Sequence, residues 1–318
     1  MTECTFLRVF YEIHQSKKQR DLTPEYPNFD HLENIWLSIY GLGKYETYHF
    51  IYAECRHFNH FNQWLDQLKG NEFLEKAAIQ FNNWLTQQPD SDPAPLPTQK
   101  QLLNEEQLQF WEQYGYLKIS DLIEPELCDE VKELICTHLG INLSNPYTWY
   151  TPHPDWQGLM VQVYQDTRQE AIRRHPNVHQ LFSELYAGQQ IIANTEKVSF
   201  NPPETPYWLF RSGDLHWDID LDKPVEYTIQ GLIYLDDVPE DRGPLTLVPG
   251  VHRQFNEWIK SFRTLEDAHH VMRSQVQGTP VPGKKGDIIV WLNTLPHAAS
   301  ANHSSLPRFV QYLSFSKL

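Results

Sequence analysis

The sequence predicts a helical N-terminal segment followed by a mainly β domain with flanking helices. Three observations support this fold class. The first 88 residues are rich in helix formers, and a Pro-rich stretch over 88–98 follows them. Beyond Gln190, short β-rich runs alternate with turns that contain Pro and Gly, which is typical of an antiparallel sandwich or barrel.

The Pro-rich stretch predicts a semi-rigid linker, because it holds four prolines and two acidic residues. It separates a helical segment of unknown role, residues 1–95, from a larger domain, residues 99–318. Within the first segment, the pentapeptide Phe-Asn-Gln-Trp-Leu at 61–65 returns as Phe-Asn-Asn-Trp-Leu at 81–85. Two copies are too few for a repeat architecture, so we expect two amphipathic helices that press these aromatic residues into one core.

The larger domain begins with helices and continues with strands. Acidic residues in the first turn favour a helix over 104–112, and a short strand is expected at 116–119. Further helices are predicted at 125–139, 168–174 and 178–186. Strands are predicted within the β-rich runs 190–200, 226–236, 245–248, 287–292 and 308–315.

The charge of the chain argues against two classes of partner, and its apolar and cysteine patterns indicate where the protein works. The chain has 26 basic and 41 acidic residues, so nucleic acid and anionic membranes are unfavourable partners. It has no apolar run of about 20 residues, and its first residues lack the basic and apolar regions of a secretory signal. The four cysteines form no CxxC pair, which favours a reducing compartment. We therefore expect a cytoplasmic protein.

A histidine and an aspartate two residues apart, His216 and Asp218, carry the first chemical signal. On a strand both side chains point to one face, whereas Trp217 points to the other. His297 follows a predicted strand and supplies a third ligand; two histidines and one carboxylate form the facial triad of non-haem Fe(II) oxygenases. Arg308, eleven residues later on the next β-rich run, could bind a dicarboxylate through a bidentate pair.

Similar patterns elsewhere in the chain are expected to bind no catalytic metal. One is His153-Pro-Asp155 in a Pro-containing loop, and the other is His31-Leu-Glu33 before a predicted helix. The pair His269-His270 lies in a polar stretch, where we expect both side chains to be solvated.

Three stretches resemble the phytanoyl-CoA dioxygenase family of Fe(II)- and 2-oxoglutarate-dependent oxygenases. They are the HxD motif at 216–218, the turn GPLTLVPGVHR at 243–253, and a C-terminal stretch that contains KGDIIV at 285–290 and HAASANHSSLPR at 297–308. Their order and spacing agree together, and the resemblance covers roughly residues 103–318. It does not cover the first 95 residues.

The resemblance implies a double-stranded β-helix, or jelly-roll, core. It also implies iron bound by His216, Asp218 and His297, with Arg308 on the distal carboxylate of 2-oxoglutarate. In the family's usual chemistry, O2 oxidises the keto acid to succinate and CO2 and a small-molecule metabolite is hydroxylated. Related halogenases have a small residue in place of the carboxylate, so the presence of Asp218 favours hydroxylation.

Other positions are assigned through the same resemblance. Asn201 lies before the HxD strand, in a neighbourhood that commonly lines the co-substrate pocket, and Thr228 and Gln230 share one face of the following strand. We expect these three side chains to contact 2-oxoglutarate. Val251 and Ala298 depart from the family's usual Ser and Gly, but neither is a proposed ligand.

Two alternatives keep the fold and change the function. The first is a cupin-type metal-dependent enzyme that does not use 2-oxoglutarate, against which Arg308 argues. The second is a non-enzymatic binding protein whose N-terminal helices are the working surface, against which the complete ligand set argues. The sequence names neither the substrate nor any protein partner of the N-terminal segment.

Overall fold

The chain forms two compact units in the computed structural model. The structure describes residues 4–22, 25–86, 101–211, 213–220 and 224–318. The first unit comprises residues 1–99, 185–196 and 315–318, and the second comprises residues 100–184 and 197–314. The linker predicted at 88–98 lies outside the described residues.

The first unit is built from helices around an aromatic core. Its helices are α1 (Thr5–Gln19), α2 (Phe29–Ile39), α3 (Lys44–His49), which continues as a π-helical turn at Phe50–Glu54, α4 (Phe58–Lys69) and α5 (Asn71–Thr86). Phe61 on α4 and Phe81 on α5 are fully buried, and Trp64 and Trp84 pack partly buried against the same cluster. This confirms the packing predicted from the repeated pentapeptide. Burial of each such ring contributes about 1.5–3 kcal/mol.

A polar network lies inside this aromatic core. His14 Nε2 is 2.6 Å from Glu33 Oε1, and both side chains are 1% exposed. The Tyr48 hydroxyl donates to Glu33 Oε2 at 2.8 Å, and His14 Nδ1 is 2.9 Å from the Tyr52 hydroxyl. Burial alone would raise the pKa of Glu33, but its bonds to His14 and Tyr48 and the charge of Lys44 outweigh burial and lower it. The Glu33 carboxylate is therefore charged and paired in the folded unit.

The second unit carries helices before and between its strands. Its helices are α6 (Glu105–Tyr114), α7 (Pro125–Leu139), α8 (Thr167–Arg173), α9 (Pro176–Leu185), α10 (His252–Trp258) and α11 (Leu265–Gln275). Short 3₁₀ turns lie at Pro146–Tyr150 and Ile259–Ser261. A capping box begins α6, because the side chains of Asn104 and Gln107 each accept the other's backbone N–H at 2.9 Å. Pro125 occupies the first turn of α7, where its missing N–H costs nothing.

The strands form two antiparallel sheets. They are β1 (Tyr116–Ile119), β2 (Trp156–Gln157), β3 (Met160–Val161), β4 (Ile191–Ala193), β5 (Val198–Asn201), β6 (Ile229–Tyr234), β7 (Leu245–Leu247), β8 (Thr279–Val281), β9 (Ile288–Leu292), β10 (His297–Ala299) and β11 (Arg308–Lys317). The larger sheet has the order β1-β9-β6-β11-β5-β3-β2, with β4 on the end of β11, and the smaller has the order β10-β7-β8.

Two antiparallel sheets with crossing connections are the architecture of a jelly roll. Helices account for 45% of the described residues and strands for 18%, because the first unit is mainly helical and the second has six helices besides its strands. The predicted jelly-roll core with flanking helices is confirmed.

The register of the larger sheet determines which side chains share its face. Gln230 and Tyr234 lie four residues apart on β6, so they point to the same side. Tyr234 pairs with Val310 on β11, two residues from Arg308, which in turn pairs with Asn201 on β5. Directly opposite residues point to one side. Gln230, Arg308 and Asn201 therefore share one face of this sheet.

Helices α10 and α11 were not predicted. Their segment is polar overall, and its apolar side chains pack in a cluster apart from the sheets, in which Phe255, Ala268 and Met272 are buried with Trp217. His269 on α11 is not simply solvated as expected. Its ring stacks on the Trp217 indole at 5.5 Å, and its Nε2 accepts the Trp217 backbone N–H at 3.0 Å.

No membrane-spanning candidate is found in the part of the chain that the structure describes, because none of its helices combines the required length with the required apolarity.

Candidate metal centre

His216 and His297 meet across an antiparallel bridge between segments far apart in the sequence. The His216 N–H donates to the His297 carbonyl at 3.0 Å, and the His297 N–H donates back at 2.9 Å. Residues paired in this way point to the same side, as does Asp218 two positions along. Trp217 points to the opposite side and is 2% exposed among apolar neighbours, as predicted.

The three side chains form a compact group. One ligand atom from each of His216, Asp218 and His297 lies within 4.8 Å of the other two. His216 Nε2 is 3.7 Å from Asp218 Oδ1, and His297 Nε2 is 3.4 Å from Asp218 Oδ2. Metal–ligand bonds of about 2.1 Å at right angles bring neighbouring ligand atoms to about 3 Å. The two separations from Asp218 exceed this value by less than about 1 Å.

The other nitrogen of each imidazole faces a backbone carbonyl. His216 Nδ1 is 2.9 Å from the Asp214 oxygen, and His297 Nδ1 is 3.3 Å from the Leu295 oxygen. A carbonyl can only accept, so Nδ1 is the donor to it and Nε2 is the ring atom that faces the oxygens of Asp218. Two imidazole nitrogens and one carboxylate therefore converge on one place. The donor set thus fits a divalent metal, and the carbonyls orient the rings as metal-binding histidines require.

Asp218 is further held by a side chain of the larger sheet. Gln230 Nε2 donates to Asp218 Oδ2 at 2.8 Å, and Trp291 Nε1 donates to Gln230 Oε1 at 3.0 Å. Loss of hydration raises the pKa of Asp218, but the bonds from His297 and Gln230 and the nearby imidazoles outweigh it and hold the pKa well below its usual range. Asp218 is therefore available as a carboxylate ligand at neutral pH.

Arg308 lies deep in the second unit with a side chain 1% exposed. Its Nη1 donates to the Gly243 carbonyl at 2.6 Å and its Nη2 to Ser199 Oγ at 3.2 Å, whereas its Nε has no hydrogen-bond partner in the described ranges. A buried guanidinium without a counter-charge is costly. This unpaired donor fits an anionic ligand at the same place.

Gly243 supplies the carbonyl that holds Arg308. Its φ is +66°, and a Cβ atom there would lie 2.7 Å from both the Ser300 oxygen and Asn201 Nδ2. Only glycine adopts this conformation and this close approach without strain. The first residue of the 243–253 turn is thereby tied to the Arg308 guanidinium.

The remaining predicted co-substrate residues lie nearby in the fold. Asn201 is fully buried; its Nδ2 donates to the Ser300 oxygen at 3.1 Å, and its Oδ1 has no partner among the described residues. Thr228 lies just before β6, where its backbone pairs with Asn293. Gln230 is bonded at both ends of its amide, to Asp218 and Trp291.

Sequence reasoning missed two side chains that hold this constellation. Ser199 binds Arg308, and Trp291 binds Gln230. A weak signal existed for Ser199, because it lies in the predicted run 190–200, two residues before Asn201, and the two share a face of the observed strand β5. No such signal existed for Trp291, because in the sequence it is one apolar residue among others in the predicted strand 287–292.

A second group of ligand-type residues lies at the end of α7. His138, His153 and Asp155 have ligand atoms within 4.8 Å of one another. However, His138 Nε2 is already 2.9 Å from Asp155 Oδ2, and His153 Nδ1 accepts the Asp155 N–H at 3.2 Å. These contacts are hydrogen bonds, which need no ion.

Comparisons with known proteins identify the family. The family model described as phytanoyl-CoA dioxygenase (PhyH) matches residues 111–310, more than half of the chain. A Dictyostelium discoideum protein named as a candidate phytanoyl-CoA dioxygenase is 23% identical over 256 residues, which cover 64% of this chain and 73% of that protein.

Two solved structures have a similar fold. SnoK, a non-haem α-ketoglutarate-dependent carbocyclase of nogalamycin biosynthesis, has a TM-score of 0.53 and 19% identity, covering 70% of this chain and 87% of its own. SnoN, an epimerase from the same biosynthesis, has a TM-score of 0.51 and 18% identity, covering 67% and 80%. The chain therefore belongs to the phytanoyl-CoA dioxygenase family of non-haem Fe(II)- and 2-oxoglutarate-dependent oxygenases.

Proposed function

We propose that this enzyme binds Fe(II) through His216, Asp218 and His297, anchors 2-oxoglutarate through Arg308, and hydroxylates a small-molecule metabolite. The observation that carries the proposal is the pairing of His216 with His297, which turns two imidazoles and one carboxylate to the same side with their ligand atoms close together. Two histidines and one carboxylate leave coordination positions open for the co-substrate and oxygen.

The anchor for the co-substrate is the buried guanidinium. Arg308 shares the face of Gln230, and Gln230 bonds to Asp218, so the anchor and the ligand group lie toward the same side of the larger sheet. A dicarboxylate that binds the metal at its keto end needs such a cation at its distal end. The unpaired Nε of Arg308 supports this assignment.

Two further residues are proposed to contact the co-substrate. Asn201 lies directly opposite Arg308 on the neighbouring strand, and its Oδ1 is buried without a partner in the described part of the chain. Thr228 lies just before β6, two residues from Gln230, where extended backbone points both side chains to the same side. Backbone hydrogen bonds hold both positions, Asn201 opposite Arg308 and Thr228 opposite Asn293.

Other residues of the chain orient the proposed metal ligands and the proposed co-substrate anchor. The carbonyls of Asp214 and Leu295 hold the imidazoles in the ligating tautomer, and Gly243 and Ser199 hold the guanidinium. When bound, the iron centre supplies the oxidising chemistry that converts 2-oxoglutarate and O2 to succinate and CO2 and hydroxylates the substrate. The presence of Asp218, rather than a small residue, supports hydroxylation as the outcome.

The test is metal stoichiometry combined with succinate release. His297→Ala is expected to lose stoichiometric iron and 2-oxoglutarate turnover while circular dichroism stays unchanged. The matched control is His153→Ala, a histidine of the second His-carboxylate group, which should keep both iron and turnover. A His297→Ala protein with one iron per chain and full activity would show that the ligand assignment is wrong.

A further inference from the structure

We infer that Gln230, held in place by the Trp291 indole, is a positioning residue that sets the orientation of the Asp218 carboxylate for metal binding. The inference rests on the proposed function, because it takes Asp218 as a metal ligand. It assigns Gln230 a different task from the co-substrate contact that the sequence predicts. Trp291 then acts on the metal site through Gln230.

The direction of the Gln230 amide is determined by the neighbouring strand. Gln230 on β6 and Trp291 on β9 lie directly opposite each other, and the indole Nε1 is 3.0 Å from Gln230 Oε1. An indole N–H can only donate, so the amide atom that faces it must be the oxygen. The amide nitrogen therefore faces the other way, where it lies 2.8 Å from Asp218 Oδ2.

The consequence falls on the two oxygens of Asp218. The donated hydrogen bond holds Oδ2, while Oδ1 lies 3.7 Å from His216 Nε2. Rotation of an aspartate carboxylate about its terminal torsion is otherwise broad and nearly free. Fixing that torsion before the metal arrives reduces the entropy lost on binding, and hydrogen-bonded partners of ligating carboxylates typically change metal affinity 10- to 100-fold.

Trp291 also packs against a proposed ligand, and loss of that packing could by itself lower the metal affinity. Its ring lies 5.4 Å from the His297 ring, and the side chain is 2% exposed. A role through packing alone would not depend on the Gln230 amide. A role through the amide disappears once Gln230 is replaced, so the two can be separated by a double-mutant cycle.

The experiment uses the full apo chain with Co²⁺ as the probe, measured by chelator competition and by its visible absorption spectrum. Gln230→Met keeps the side-chain length and removes the amide. It is expected to weaken Co²⁺ binding about 10- to 100-fold and to alter the spectrum. Trp291→Phe should weaken binding about 3- to 10-fold, the value of one neutral hydrogen bond. In the Gln230→Met background, Trp291→Phe should add no further loss.

The matched control is Trp156→Phe, since the Trp156 Nε1 has no hydrogen-bond partner within the described residues. It should leave Co²⁺ affinity unchanged. An equal loss from Trp291→Phe in both backgrounds would overturn the role of the indole, and wild-type affinity in Gln230→Met would overturn the inference as a whole. Failure of the wild-type chain to bind Co²⁺ would instead overturn the proposed metal site itself. Thermal melting of the apo variants verifies that each is folded.

Discussion

Replacing Arg308 with lysine tests the co-substrate anchor. One terminal nitrogen of Arg308 donates to the Gly243 carbonyl at 2.6 Å and the other to Ser199 Oγ at 3.2 Å. Its Nε has no hydrogen-bond partner in the described ranges. A lysine ammonium lacks this planar fork. It cannot hold the Gly243 carbonyl and grip a carboxylate with two parallel bonds at once.

The expected loss follows from the hydrogen bonds at stake. A bond to a charged group contributes about 1.5–3 kcal/mol, and each 1.4 kcal/mol is about tenfold in affinity. Arg308→Lys should therefore weaken 2-oxoglutarate binding about 10- to 100-fold. Iron affinity should stay nearly unchanged, because Arg308 does not belong to the group of His216, Asp218 and His297.

The assay is calorimetric titration of 2-oxoglutarate into the anaerobic Fe(II)-loaded protein. Arg173→Lys is the matched control, since this buried arginine of the same unit already has a carboxylate partner, Glu170 Oε2 at 2.9 Å. The control should keep wild-type affinity. Equal affinity in wild type and Arg308→Lys would remove Arg308 from the site. Absence of 2-oxoglutarate binding in the wild type would refute the co-substrate assignment and favour the cupin-type enzyme.

Two predictions concern the first unit. The lowered pKa of Glu33 means that its stabilising contribution is present above its unfolded pKa of about 4.3 and is lost as pH falls through the folded value. Glu33→Gln should therefore lower the free energy of unfolding in urea by about 1–3 kcal/mol at pH 7, and this difference should shrink below about pH 4; a pH-independent difference would contradict the reasoning. A chain that begins near residue 99 keeps all three proposed ligands and should still bind one iron. It should aggregate more readily by light scattering, because Ile192 packs against the helices that are removed; loss of iron would show that those helices complete the core of the iron-binding domain.

Elements with strong local signals could be predicted from the sequence. The strand Tyr116–Ile119 and the helix Pro125–Leu139 have the predicted bounds, because a proline start and an apolar run between breakers are local properties. Helices α10 and α11 were missed for the opposite reason. Their burial depends on a small cluster around Trp217, which comes from another part of the chain.

The candidate site likewise has a part that local sequence predicts and a part that depends on contacts between distant segments. The spacing of His216 and Asp218 alone places both side chains on one face of a strand, and the buried Trp217 on the other. Which of the fifteen histidines completes the group is not a local property. The family resemblance proposed His297, and the structure brings it opposite His216 through a pair of backbone hydrogen bonds.

The residue types proposed as ligands, their local spacing and the resemblance to the family can be read from the sequence alone. The contacts between distant segments come only from the folded chain: Gln230 meets Asp218, Trp291 directs the Gln230 amide, and Ser199 and Gly243 hold Arg308. This is because side-chain alternation along one strand is set by covalent geometry, whereas the register between distant strands is set by packing and pairing of the whole sheet.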